Sequence, residues 1–199
     1  MIVIIDYGAG NLKSVKNALD FLGADSLISD SEEDIRKAEK IILPGVGNFG
    51  DIMTSLKSKG LIEVLKEEIR KKPYLGICAG LQILFEESEE AKGIKGLSIF
   101  DGMVKRFKKD VKVPQIGWNS IRILKKNKIL DGIVQDSYFY FVHSYYVEPE
   151  DKGIILTKTD YGIEYVSGIA KGNIFAFQFH PEKSGDIGLR LLKNFLEIV

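Results

Sequence analysis

Hydrophobic residues in the first eighty positions follow two alternating rhythms. Short apolar runs at Ile2–Ile5, Lys40–Leu43 and Tyr74–Ile77 read as strands covered on both faces, as parallel strands are, and Ser26–Ile28 reads as a further strand. Between them the spacing changes to that of a helix. Leu12, Val15, Ala18, Leu19 and Leu22 form one apolar stripe, with Asn11 placed to cap it and Gly23 to end it. Ser31 and Asp34 have the spacing of a capping box before a short helix, and Asp51–Lys57 and Leu61–Lys71 predict two more. After Cys78, Leu81, Ile83, Leu84 and Phe85 predict another helix.

The rhythm changes in the second half. Leu97 to about Ile123 is a series of short strand-like pieces broken by glycine and Pro114. An aromatic run at Tyr138–Val147 and segments at Ile154–Thr157, Tyr165–Ala170 and Ile174–Phe179 predict strands, and Ile187–Ile198 predicts a closing helix. The β-α-β-α order predicts an α/β fold: a central, mostly parallel sheet flanked by helices, completed by a β-rich second half. With 199 residues, 45% of them hydrophobic, and no linker or repeat, one domain spanning residues 1–199 is expected.

Composition narrows the function classes. Twenty-eight basic and 28 acidic residues cancel, leaving no global field to draw nucleic acid or an anionic membrane. No apolar run approaches the ~20 residues that span a bilayer. The N-terminal residues lack the pattern of a secretory signal, and one cysteine cannot form an internal disulfide; a cytoplasmic setting is expected. One cysteine and two separated histidines predict no metal site.

Cys78 stands in Gly76-Ile77-Cys78-Ala79-Gly80, between a strand pattern and a helical one. Such an elbow holds its central residue in a strained backbone with the side chain projecting, and its glycines permit close backbone approach. A thiol there also meets the N-terminus of the following helix, which favours the thiolate. A lone cysteine serves equally well as a small buried hydrophobe, so the elbow alone leaves both readings open. His180 follows the apolar run Ile174–Phe177 and sits two residues before Glu182. In an extended segment these two share a face, so Glu182 can orient an imidazole that takes a proton from Cys78. A second glycine-rich turn, Pro44–Gly50, follows a neighbouring strand. Backbone N–H groups at Val46, Gly47 and Ala79 would suit a developing oxyanion. A cysteine protease, another hydrolase or a non-catalytic binding subunit stays open at this level.

These motifs together resemble the class I, triad-type glutamine amidotransferases. More narrowly, the chain is similar to the glutaminase subunits of imidazole glycerol phosphate synthases. The matching stretches are Asp6–Asn11, Pro44–Gly50, Gly76–Phe85, Pro114–Asn119, Tyr140–Tyr145 and Gln178–Ser184, spread over nearly the full length. Ala79 departs from the leucine usual after the nucleophile. Cys-Ala-Gly also occurs in glutaminases serving pyridoxal phosphate synthase, but those usually carry Pro-Gly-Gly-Glu-Ser where this chain has Pro-Gly-Val-Gly.

The resemblance implies hydrolysis of glutamine by a Cys78–His180–Glu182 triad without a cofactor. It implies that Gln82, Glu90, His143, Ser144 and Tyr145 surround the substrate. It further implies a separate (β/α)8 cyclase that receives the ammonia and makes imidazole glycerol phosphate and an aminoimidazole carboxamide ribotide. Trp118, Asn119, Tyr140 and Lys183 would face that partner, although a sole tryptophan reads equally as core. Glutaminase activity is expected to be low until the partner and its ligand reorient the turn at Gly45–Gly47. The alternative is a paralogous glutaminase subunit feeding another synthase, for example in nucleotide-sugar amidation or pyridoxal phosphate synthesis.

Overall fold

The structure is a computed structural model that describes residues 1–108 and 110–198. Its first half follows the expected alternation: β1 (Ile2–Ile5), α1 (Leu12–Phe21), β2 (Ser26–Ser29), α2 (Glu32–Lys37), β3 (Lys40–Gly45), α3 (Phe49–Ser58), α4 (Leu61–Glu68), β4 (Tyr74–Cys78) and α5 (Ala79–Gln82). The second half holds β5 (Phe85–Ser88), β6 (Phe100–Arg106), β7 (Gln115–Ser120), β8 (Arg122–Ile123), β9 (Tyr138–His143), β10 (Tyr145–Pro149), β11 (Ile155–Asp160), β12 (Glu164–Lys171), β13 (Ile174–Phe177) and α6 (Gly185–Glu197).

The main sheet runs β2-β1-β3-β4-β13-β12-β10-β6-β5, with β11 joining β12 to β8. The five strands from β2 to β13 are mutually parallel, and the sheet turns antiparallel at β12. The apolar runs serve both sides of this parallel core. Val3 and Ile5 pack with Ile35, Leu56 and Leu65 of α2, α3 and α4, whereas Ile2 and Ile4 pack with Val15, Leu19 and Leu192 of α1 and α6. Each such side chain contributes roughly 1.5–3 kcal/mol on burial, so a strand polar on either face would leave one helical layer unsupported.

Three local expectations are corrected. The helix after Cys78 lasts four residues, and Phe85–Ser88 is a strand parallel to β6. The Ile83 and Leu84 carbonyls, which a longer helix would use, accept instead from Leu97, Ile99 and Phe100. The aromatic run at Tyr138–Val147 is two strands broken at Ser144: β9 pairs with β7 in a separate ribbon, whereas β10 joins the main sheet. Asn11 occupies the cap position of α1 without capping it, because its side chain is engaged elsewhere.

Candidate active site

Cys78 ends β4 at the carboxyl edge of the parallel strands, where open α/β sheets place their ligand sites. Its backbone has φ +54° and ψ −109°, a conformation that side-chain-bearing residues adopt only when the surroundings impose it. The imposing contacts are visible. A Cβ on Gly80 would run into the Leu43 carbonyl oxygen, and one on Gly76 would lie 2.5 Å from the Gly80 carbonyl oxygen. Glycine at both positions lets the elbow close against β3. The Tyr74 hydroxyl donates to the Gly80 carbonyl at 2.9 Å and pins the turn from below.

The sulfur forms one wall of a cavity of about 230 Å³. Val46, Gly47, Ala79, Gln82, Glu90, His143, Ser144 and Tyr145 all line it, together with Pro114 and Val142. Every residue expected around the substrate or the oxyanion therefore faces one space. Burial raises the Glu90 carboxyl above its ordinary range, although it accepts from the Phe49 N–H at 2.8 Å. His143 is held internally: Nδ1 donates to the Tyr145 carbonyl at 2.8 Å and Nε2 lies 3.2 Å from the Tyr165 hydroxyl. Burial lowers it to about 4, so it is a neutral brace for the cavity wall at neutral pH.

His180 is buried next to Cys78, with Nδ1 2.8 Å from Glu182 Oε1. The two meet across a 3-10 turn at Pro181–Lys183, not along an extended strand as the i, i+2 spacing predicts. Burial works against the imidazolium, but the charge of Cys78 and the carboxylate of Glu182 outweigh it and raise His180 to about 10. Nε2, the ring nitrogen that Glu182 does not engage, makes no close hydrogen bond, and its influential neighbour is the Cys78 sulfur. Glu182 Oε1 also accepts from Asn11 Nδ2 at 3.3 Å, and Asn11 Oδ1 accepts from Ser14 at 2.6 Å.

The turn expected to meet the oxyanion sits beside the elbow because β3 pairs with β4 in register, Gly45 opposite Cys78. Its Val46 N–H donates to the Tyr7 hydroxyl at 3.3 Å. Three residues given no role at the site by the sequence thus touch it: Tyr7, Asn11, expected only as a helix cap, and Gln178, whose Nε2 lies 3.5 Å from the Cys78 sulfur. Gln178 carried a signal, being two residues before His180; Tyr7 and Asn11 reach the site only through the sheet order.

The residues expected at a partner surface lie on the β7–β9 ribbon and the adjoining turn. Trp118 is 55% exposed and meets Tyr140 edge-to-face, its register partner, so it is not a core tryptophan. Ile116 and Tyr138 on the same ribbon are 62% and 60% exposed. Lys183 is exposed beside them, whereas Asn119 turns its amide to the Asp160 carbonyl at 2.8 Å. The ribbon is tied to the site: His180 N–H donates to the Tyr140 carbonyl at 2.9 Å, and Tyr140 N–H to Ser184 Oγ at 3.0 Å.

The description "Glutamine amidotransferase class-I" fits residues 3–199 of the chain. The chain is 52% identical to the imidazole glycerol phosphate synthase subunit HisH of Methanocaldococcus jannaschii, with all of both chains covered. It is 48% identical to the subunit of the same name from Methanothermobacter thermautotrophicus, over all of this chain and 99% of the relative. Among solved structures, a glutamine amidotransferase superposes with a TM-score of 0.78 at 19% identity, covering 99% of this chain and 98% of the other. PurLQS from Thermotoga maritima superposes at 0.74 and 20% identity, covering 98% and 97%. At those identities the superpositions speak for the fold, and the sequence relatives for the branch. This chain belongs to the class-I glutamine amidotransferase family, in the branch of the imidazole glycerol phosphate synthase HisH subunits.

Proposed function

We propose that this chain is a cytoplasmic glutaminase subunit that hydrolyses glutamine at Cys78 and passes the ammonia to a (β/α)8 cyclase partner in histidine biosynthesis. The carrying observation is the strained Cys78 elbow facing the cavity, backed by a buried His180 bonded to Glu182. Cys78 sulfur attacks the carboxamide carbon of glutamine. Negative charge on the carbonyl oxygen is met by backbone N–H groups of Ala79 and the Val46–Gly47 turn. His180 gives its proton to the departing ammonia, leaving a γ-glutamyl thioester. It then takes a proton from water, whose oxygen replaces sulfur and releases glutamate. Glu182 holds the ring with Nε2 toward the sulfur.

Gln82, Glu90, Ser144 and Tyr145 bind glutamine in this reading, with His143 bracing Ser144 and Tyr145. Because its Val46 N–H is spent on Tyr7, the turn offers one donor fewer in the isolated chain. The partner docks on Trp118, Ile116, Tyr138 and Tyr140, with Lys183 at the edge. The backbone bonds of Tyr140 on β9 to His180 and to Ser184 give docking a direct mechanical route to the site. The full-length relatives named as HisH subunits favour this partner over other ammonia-consuming synthases.

The test is glutamate release from Cys78→Ala in the assembled complex. Loss of at least about 10³-fold with unchanged circular dichroism is expected. Near-normal turnover would overturn the assignment.

A further inference from the structure

The expectation that a helix N-terminus stabilises the Cys78 thiolate loses its basis once α5 is one turn long, because so few peptide dipoles add little charge. The sulfur has another neighbour. We infer that Gln178 is a catalytic residue whose side-chain amide donates to the Cys78 sulfur and holds it as the nucleophilic thiolate. This rests on Cys78 being the nucleophile. Gln178 is fully buried on the turn leaving β13, the parallel neighbour of β4, with Phe177 in register with Ile77. Its backbone N–H is anchored to the Ser167 carbonyl at 2.9 Å, and its Nε2 lies 3.5 Å from Sγ.

The orientation of the amide follows from its neighbours. Gln82 points one end at the Tyr145 carbonyl, 3.0 Å away, and a carbonyl only accepts. That end of Gln82 is therefore Nε2, which also lies 3.1 Å from the end of Gln178. The Gln178 atom facing it must be the acceptor Oε1, leaving the NH₂ for the sulfur. A flipped Gln178 would set two donors against each other in a buried site.

The chemistry gives this bond a direction. As a thiol, Cys78 can donate to the Val142 carbonyl, 3.7 Å away. As a thiolate it would face that carbonyl without a proton, and needs donors of its own. His180 supplies charge; Gln178 supplies a neutral donor that stays aimed at the sulfur whatever the state of His180. A hydrogen bond to a charged acceptor shifts its titration by about one to two pH units. The other titratable groups around the sulfur are His180 and Glu182 on the following turn, Tyr7 after β1, Tyr165 on β12, and Glu90, His143 and Tyr145 on the cavity wall. The Gln178 side chain bonds only to Gln82 and the Cys78 sulfur among the described residues, so none of these groups loses a direct hydrogen bond when it is changed.

Cys78 is the sole cysteine, so the rate of iodoacetamide alkylation against pH reports this sulfur alone. With Gln178→Met, which keeps length and removes the donor, the midpoint should rise by about one pH unit and alkylation at pH 7 should slow up to about tenfold. Gln178→Glu, which adds a like charge, should shift it further. A folded Gln178→Met chain with the wild-type midpoint would overturn the inference. Should both variants misfold, the wild type decides by NMR: the Gln178 side-chain amide protons should shift with the alkylation midpoint, and an amide blind to that titration would equally overturn it. Neither readout needs glutamine or a partner, so a chain that titrates as expected yet fails to hydrolyse glutamine counts against the proposed function alone.

Discussion

His180 and Glu182 form a buried pair at the candidate site. Burial alone would leave the imidazole neutral, and the adjoining negative charges reverse that, raising it from 6.5 to about 10. With the folded value above that of a free imidazole, the proton is held below about pH 10 and lost above it. Activity that depends on this proton should therefore keep its level through mildly alkaline pH and fall near pH 10. Glu182→Gln removes one supporting charge while nearly keeping shape. In pH–rate profiles of the complex its alkaline limb should move toward neutral, with kcat reduced at least about tenfold. A limb that stays in place would mean the carboxylate does not support the imidazolium. The residues at this scale were partly legible. Cys78, His180 and Glu182 stood out by spacing, because the motif is local. Asn11 has the placing of a helix cap, and its amide goes instead to a carboxylate 171 residues away. Nothing local signals a contact of that kind.

At the scale of elements, the legible ones were those whose pattern needs no distant partner. Strands β1, β3, β4 and β13 are apolar on both faces because helices cover both, and the stripes of α1 and α6 have one helical reading. The segment after the elbow was not legible, since Leu81, Ile83, Leu84 and Phe85 suit a helix or a strand equally. The choice is made by β6 and the Leu97–Phe100 backbone, which claim its hydrogen bonds. The same dependence on neighbours governs the turn proposed to meet the oxyanion. Tyr7, from the loop after β1, accepts the Val46 N–H that the proposed chemistry needs for the substrate oxygen. Tyr7→Phe keeps the buried ring and removes the acceptor. One neutral hydrogen bond is worth about 1 kcal/mol, so glutamate release by the isolated chain should rise roughly fivefold. An unchanged basal rate would show that Tyr7 does not restrain the turn.

At the scale of the molecule, the fold leaves an apolar area uncovered beside the site: Ile116, Trp118 and Tyr138, with the half-buried Tyr140. Leaving a tryptophan more than half exposed forgoes on the order of 1–2 kcal/mol of burial, which a partner surface would recover. If this is the docking face, Trp118→Ala should weaken association with the cyclase by about 2 kcal/mol or more in titration calorimetry, and equal affinity would remove Trp118 from the interface. With the chain and a cognate cyclase mixed, glutamine as the sole nitrogen source and the cyclase's nucleotide substrate supplied, glutamate and imidazole glycerol phosphate should form one for one. Glutamate formation should fall steeply when the nucleotide is withheld. Glutamate release without the imidazole product, or at the same rate with and without nucleotide, would contradict the account.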